Sequence, residues 1–162
     1  MAGTEELTTQ EWEVAATTFY ITAAGMMSAE SGGFIREFEA MVAVVNKYSD
    51  NSGTNALVKH LLATQPAEKQ QELEALCKKY STQELRTRSL EHSRSLASAL
   101  DDKVSADEAT PYLQLIFDTA DAIAEAAGTL GYFSEDTGAQ VSEVEAAFLI
   151  ELKQALGLAQ EA

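Results

Sequence analysis

Carboxylates are the side chains in this sequence whose types and spacing could do chemistry, and they gather in two places. Glu135, Asp136, Glu143 and Glu145 surround Gly138, and Glu30, Glu37 and Glu39 lie close together near the start. Several carboxylate oxygens converging from a bent loop or from facing helices hold a hard divalent cation. The candidate ligands for such an ion are Asp136, Glu143 and Glu145, joined by Glu39 from the early cluster. The late cluster is not an EF-hand. A twelve-residue loop opened at Asp136 closes on Ala147, and one opened at Asp101 closes on Tyr112, so the closing glutamate is missing from both. Acidic residues in the first turn of a helix also favour its dipole without any ion. The second reading is therefore a helical interaction module with an acidic binding face and no metal.

Other reactive groups are few. A di-iron bundle requires glutamate three residues before each histidine. That position holds Ser89 before His92 and Leu57 before His60. Cys77 falls on an apolar stripe and reads as a small core residue. There is no phosphate loop, dinucleotide fingerprint or serine elbow. No nucleophile and base stand at a useful spacing, so a non-enzymatic protein is expected.

The charge balance limits the partners. Eleven Lys and Arg against 26 Asp and Glu give a formal net charge of −15. Such a chain repels nucleic-acid phosphates and anionic lipid headgroups, and favours cations, a basic protein partner or self-association through other surfaces. Arg86, Arg88 and Arg94 concentrate on one helix, as an internal charge complement or a hold on an acidic neighbour. No apolar run reaches the length of about 18 residues that a membrane span needs. The N-terminus, MAGTEELTTQEWE, lacks a basic region followed by an apolar core, so no secretory signal is read there. A single cysteine excludes an intramolecular disulfide and agrees with a cytoplasmic setting.

The elements that must position these residues are helices. Apolar residues recur at spacings of three and four, and no sustained alternation marks a strand. Thr8-x-x-Glu11, Ser81-x-x-Glu84, Ser105-x-x-Glu108 and Ser142-x-x-Glu145 are helix-start signatures. Leu7 is placed to staple onto Trp12. Phe34, Phe38, Met41, Val45 and Tyr48 make the stripe of a second helix that stops before a loop at Ser49–Gly53. Pro66 suits a first helical position. Leu85, His92, Leu96 and Ala99 share a side of a later helix, and Asp101-Asp102-Lys103 reads as a turn. Pro111 kinks or restarts the helix that follows. Gly157 suits a left-handed stop with Leu158 folded back. The sum is one all-α, compact domain of about seven helices over residues 1–162, with 1–7 as an N-terminal tail.

A weak internal repeat runs through it. Ala23-Ala24-Gly25 closes one helix and Glu37-Phe38-Glu39-Ala40 opens the next. Late in the chain the matching residues are Ala126-Ala127-Gly128 and Glu143-Val144-Glu145-Ala146. Two related helical hairpins thus stand at opposite ends of the domain.

On these residues the chain resembles the TerB family of tellurite-resistance proteins. The late patch is AEAAG followed by VSEVEAAFLIELKQALGL. The early patch is ITAAG, MMSAES and REFEAMVAVV. The resemblance implies a compact all-α domain made of two related helical halves. Glu39 and Glu145 match the family's helix-opening glutamate. Where the family carries aspartate before glycine this chain has Ala24 and Ala127, and Asp136 in the longer late loop is the stand-in. The resemblance also implies a role in stress resistance, metal-ion binding and scaffolding at the inner face of the membrane as a peripheral protein. Tellurite itself is an anion and a poor match for so acidic a chain.

Overall fold

In the computed structural model, the description covers residues 7–27, 34–52, 55–130 and 143–158, without the side chains of 52, 127–130 and 143–144. Among these residues the chain is all-α, with no strand. Its helices are α1 (Thr9–Met27), α2 (Phe34–Ser52), α3 (Ala56–Ala63), α4 (Gln70–Lys79), α5 (Thr82–Lys103), α6 (Ala106–Leu130) and α7 (Glu143–Ala155). A 3-10 turn, Pro66–Glu68, precedes α4, so Pro66 opens that turn instead of the α-helix.

Helix ends follow the sequence signals closely. The Thr8 hydroxyl accepts from Glu11 N–H while Glu11 Oε1 accepts from Thr8 N–H, at 3.1 and 2.9 Å. Ser81 and Glu84 make the same reciprocal pair at 3.1 and 2.8 Å. Each box satisfies two backbone donors that would otherwise have no partner in the helix. At the far end Gly157 has φ +76, Gly157 N–H donates to Gln154 and Leu158 N–H donates to Lys153, both at 3.0 Å. This is the Schellman arrangement, with glycine where a side chain would be strained.

α1 is the hub. From Thr18 onward most of its residues are buried, because α5, α6 and α4 all lie against it. α5 runs antiparallel to α1. Lys103 Nζ meets Glu11 Oε1 at 2.8 Å at one end, Ser89 Oγ donates to Ile21 O at 3.0 Å further on, and Leu85 lies against Gly25. The Lys103 hydrogen bond holds the Glu11 carboxyl below its ordinary range. α2 packs chiefly on α6, and α7 on α5. Tyr112 of α6 is fully buried and donates to Ala15 O at 2.7 Å.

Several expectations shift. Ala23-Ala24-Gly25 does not close α1, which continues to Met27, and α6 likewise continues to Leu130, past Gly128. Gly25 answers a packing need: a Cβ there would sit 3.2 Å from Ser89 Oγ. α2 extends through the supposed loop to Ser52, and α5 runs through Asp101-Asp102-Lys103. Polar composition suggested turns, and Ser, Asn and Asp are weak helix formers, but the cost of each is only a few tenths of a kcal/mol, roughly 0.7 at most, which an anchored helix tolerates. α6 passes through Pro111 without interruption. The buried stripe of α5 is Leu85, Ser89, Ser93, Leu96 and Leu100, so His92 and Ala99 stand beside it. Leu7, assigned to the tail, is 8% exposed and belongs to the core.

The α1–α5 seam yields a direct expectation. Gly25→Ala gains helix propensity but presses a methyl onto Ser89 Oγ, which is itself fixed by bonds to Ile21 O and Leu85 O. Urea denaturation should show a loss of roughly 1–2 kcal/mol in that variant. Adding Ser89→Ala should recover most of it, which measures the contact as a double-mutant coupling.

Candidate functional site

The proposed metal ligands fall in different settings. Asp136 lies outside the described residues, and so does the side chain of Glu143, whose backbone opens α7. Glu39 is exposed on α2, whereas Glu145 is 1% exposed on α7. α2 packs chiefly on α6 and α7 chiefly on α5, and Glu39 and Glu145 do not belong to one cluster of three or more ligand-type side chains among the described residues. Among the described residues no group of three or more His, Cys, Asp or Glu side chains is arranged to hold a metal ion.

Glu145 is instead buried on α7, a helix that packs on α5 and α6. One turn further along α7, the Phe148 ring lies under the Arg86 guanidinium, with the cation 5.0 Å from the ring centroid. Arg86 is half-buried, with Nε and Nη2 shut away from solvent. A carboxylate on α7 and a guanidinium on α5 are thus both withdrawn from solvent. Burying either alone is strongly unfavourable, and opposing them offsets much of that penalty.

The early hairpin repeats the theme with a different residue. Glu37 is 0% exposed near the start of α2, and Glu39 points outward. By burial, then, the counterpart of Glu145 is Glu37, two residues from the register the sequence motif suggested. Glu37 stands close enough to Cys77 to help raise its thiol, which burial chiefly pushes up to about 11, with Glu74 adding a smaller push. Cys77 Sγ donates to Ala24 O at 3.6 Å. Such a thiol is a packed core group and a poor nucleophile at neutral pH. The histidines are equally occupied: His60 lies 4.7 Å from the Trp12 ring, and His92 Nδ1 is 2.9 Å from Arg88 O.

A face that sequence reading passed over lies on α6. Asp118, Asp121 and Glu125 recur there at helical spacing, opposite the buried residues Leu113, Ile116, Ala120 and Ile123. Asp118 is held rigidly: Oδ2 accepts from the Tyr48 hydroxyl at 2.6 Å and Oδ1 from Gln114 Nε2 at 2.9 Å. Burial and the adjacent Asp118 carboxylate push the Tyr48 hydroxyl well above its ordinary range. The half-buried Asp121 carboxyl is raised by desolvation first, then by Glu125 and Asp118. No described Lys or Arg forms an ion pair with any of the three. The signal was present as a polar i, i+3, i+7 row, but it had no motif attached. Between α1 and α4 there is also a half-open groove of about 260 Å³, walled by Tyr20, Ile21, Leu73 and Leu76 with Lys69 and Glu72 on its rim.

No family model, no curated protein and no solved structure matches this chain. Among the described residues no helix is long and apolar enough to cross a membrane.

The crowding on α6 gives a prediction with a sign. The folded chain holds the Asp121 proton more tightly than the unfolded chain, so ionised Asp121 opposes folding at neutral pH. That opposition fades as pH falls through the raised pKa. Asp121→Asn should therefore raise Tm at pH 7, and thermal scans in progressively more acidic buffer should show the gain shrinking.

Proposed function

We propose that this chain is a non-enzymatic, cytoplasmic, TerB-like helical protein that serves stress resistance as an interaction module, with the acidic face of α6 meeting a basic partner. The observation that carries the reading is the Asp118–Asp121–Glu125 row. Asp118 and Asp121 are partly buried, Glu125 is exposed beside them, the three are like-charged neighbours, and none forms an ion pair among the described residues. A cationic side chain brought by a partner relieves that repulsion, and Tyr48 and Gln114 already orient Asp118 to receive it. Preorganised groups of one sign give an interface specificity and a fast association rate.

Two features support the TerB-like element. Each hairpin places a glycine two residues before the end of its first helix, Gly25 in α1 and Gly128 in α6. Each also buries a glutamate near the start of its second helix, Glu37 in α2 and Glu145 in α7. Peripheral placement at the inner membrane face would then go through a protein partner, since the net charge opposes anionic headgroups.

A second reading keeps the divalent cation, with Asp136, Glu143 and Glu145 as oxygen ligands. It is favoured by one observation: a buried carboxylate stands one turn into the helix that follows the acid-rich stretch Glu135–Glu143. Glu39, the fourth carboxylate of the set read from the sequence, is exposed on α2.

One titration series tests both. A short lysine-rich peptide added to labelled protein should shift amide resonances at Gln114–Glu125 in NMR spectra, and Asp118→Asn with Glu125→Gln should abolish the shifts. Shifts elsewhere, or none, contradict the α6 interface. In parallel, calorimetry with calcium, magnesium, manganese and zinc should show binding that Asp136→Asn and Glu143→Gln remove if the cation reading holds. Glu145→Gln is a poor reporter there, because its buried site makes instability the expected outcome.

A further inference from the structure

Charge is distributed very unevenly along this chain. Residues 69–94 hold six of the eleven Lys and Arg but only four of the 26 acids, a net of +2 inside a chain of −15. That segment is α4 and the first half of α5. Its exposed cations gather where the two helices join. Lys78 and Lys79 occupy the last turn of α4, Tyr80 caps it, and Arg88 stands two turns into α5. The Tyr80 ring carries two cations at once, with Arg88 Cζ 4.3 Å and Lys79 Nζ 5.3 Å from its centroid. None of Lys78, Lys79 and Arg88 makes an ion pair with a described residue. Glu84, one turn before Arg88, is taken up by capping Ser81.

The helix dipole accounts for Lys78 and Lys79 at the end of α4. It does not account for Arg88, nor for two like charges drawn to one aromatic ring. Each cation–π contact is individually modest, and together they hold two like charges around a single ring. An anion placed against that pair would remove the repulsion and complete the cluster.

We propose that the Lys78–Lys79–Tyr80–Arg88 corner is a docking site for a short, flexible acidic segment of another polypeptide, whose carboxylates reach Lys79 and Arg88 while an adjacent apolar side chain lies against Tyr80. The size of the island selects this class. The rest of the chain carries five basic and 22 acidic residues. A rigid polyanion such as duplex DNA, or an anionic bilayer, overlaps that acidic remainder and is repelled by it. A flexible segment needs only the few residues that fit within about a Debye length of the island, roughly 8 Å at physiological salt. The site is of opposite sign to the α6 face and does not depend on it.

The test uses the full chain and a fluorescein-labelled glutamate-rich peptide carrying one leucine, followed by anisotropy at low salt. Lys79→Glu with Arg88→Glu should weaken binding by at least about tenfold. Both side chains are exposed, so the helical circular dichroism signal and Tm should stay close to wild type. Lys59→Glu, on α3 outside the island, changes charge equally per site and should leave the affinity nearly unchanged. Equal binding by wild type and the double variant would overturn the proposal. So would an equal loss in Lys59→Glu, or tighter binding of duplex DNA or phosphatidylserine vesicles than of the peptide.

Discussion

The constraint on which the rest depends is the close seam between α1 and α5. α1 is enclosed by α5, α6 and α4 over its second half, so it cannot shift without opening the core. The approach is tight enough that a methyl at position 25 would sit 3.2 Å from Ser89 Oγ, so that Ser89 would have to give way. Ser89 on the buried stripe of α5 makes this possible, since a small side chain that hydrogen-bonds to a facing carbonyl fills little volume and leaves its own donor satisfied. Ser89 does so with Ile21 O. With that seam closed, α7 settles on α5 and α2 on α6, and the two hairpins find their places.

That arrangement decides where charge can go. A helical domain with one apolar core sends nearly all its carboxylates outward, and with 26 acids to eleven bases most have no opposite partner available. Among the described residues two acids are buried, Glu37 and Glu145, one near the start of the second helix of each hairpin. Arg86 stacks on Phe148, three residues after Glu145 on α7. Six of the eleven cations fall within residues 69–94, on and around α4 and the first half of α5. The molecule therefore presents separated patches of opposite sign, a pattern suited to steering and choosing partners more than to internal stability.

How much of this the sequence disclosed follows from what kind of signal each feature leaves. The all-α class, the Thr8–Glu11 and Ser81–Glu84 boxes and the Gly157 stop are local and chemically specific, and they were legible. Helix lengths were less so, because Ser49–Ser52 and Asp101–Lys103 have the composition of turns while their backbones stay helical. Gly25 was read as a terminator because the need it meets, the approach of Ser89, comes from a residue 64 positions away. The motif singled out Glu39 as the helix-opening glutamate of α2, whereas the buried glutamate there is Glu37. Its position relative to Met41 and Val45, four and eight residues on, places Glu37 on the buried stripe. A polar residue falling on an apolar period is the cue that would have found it. The α6 row and the α4–α5 island left no motif, since an unpaired charge is defined by what does not come near it in space.

The central claim is that the surface charges of this domain are segregated and not internally compensated. The most direct measurement is the Tm of the isolated protein at neutral pH as sodium chloride is raised from about 10 to about 300 mM, a range that shrinks the Debye length several-fold. Uncompensated like charges predict a steady rise in Tm as salt screens their repulsion. A fall in Tm over the same range would mean that attractive pairs dominate the surface, and would contradict the claim.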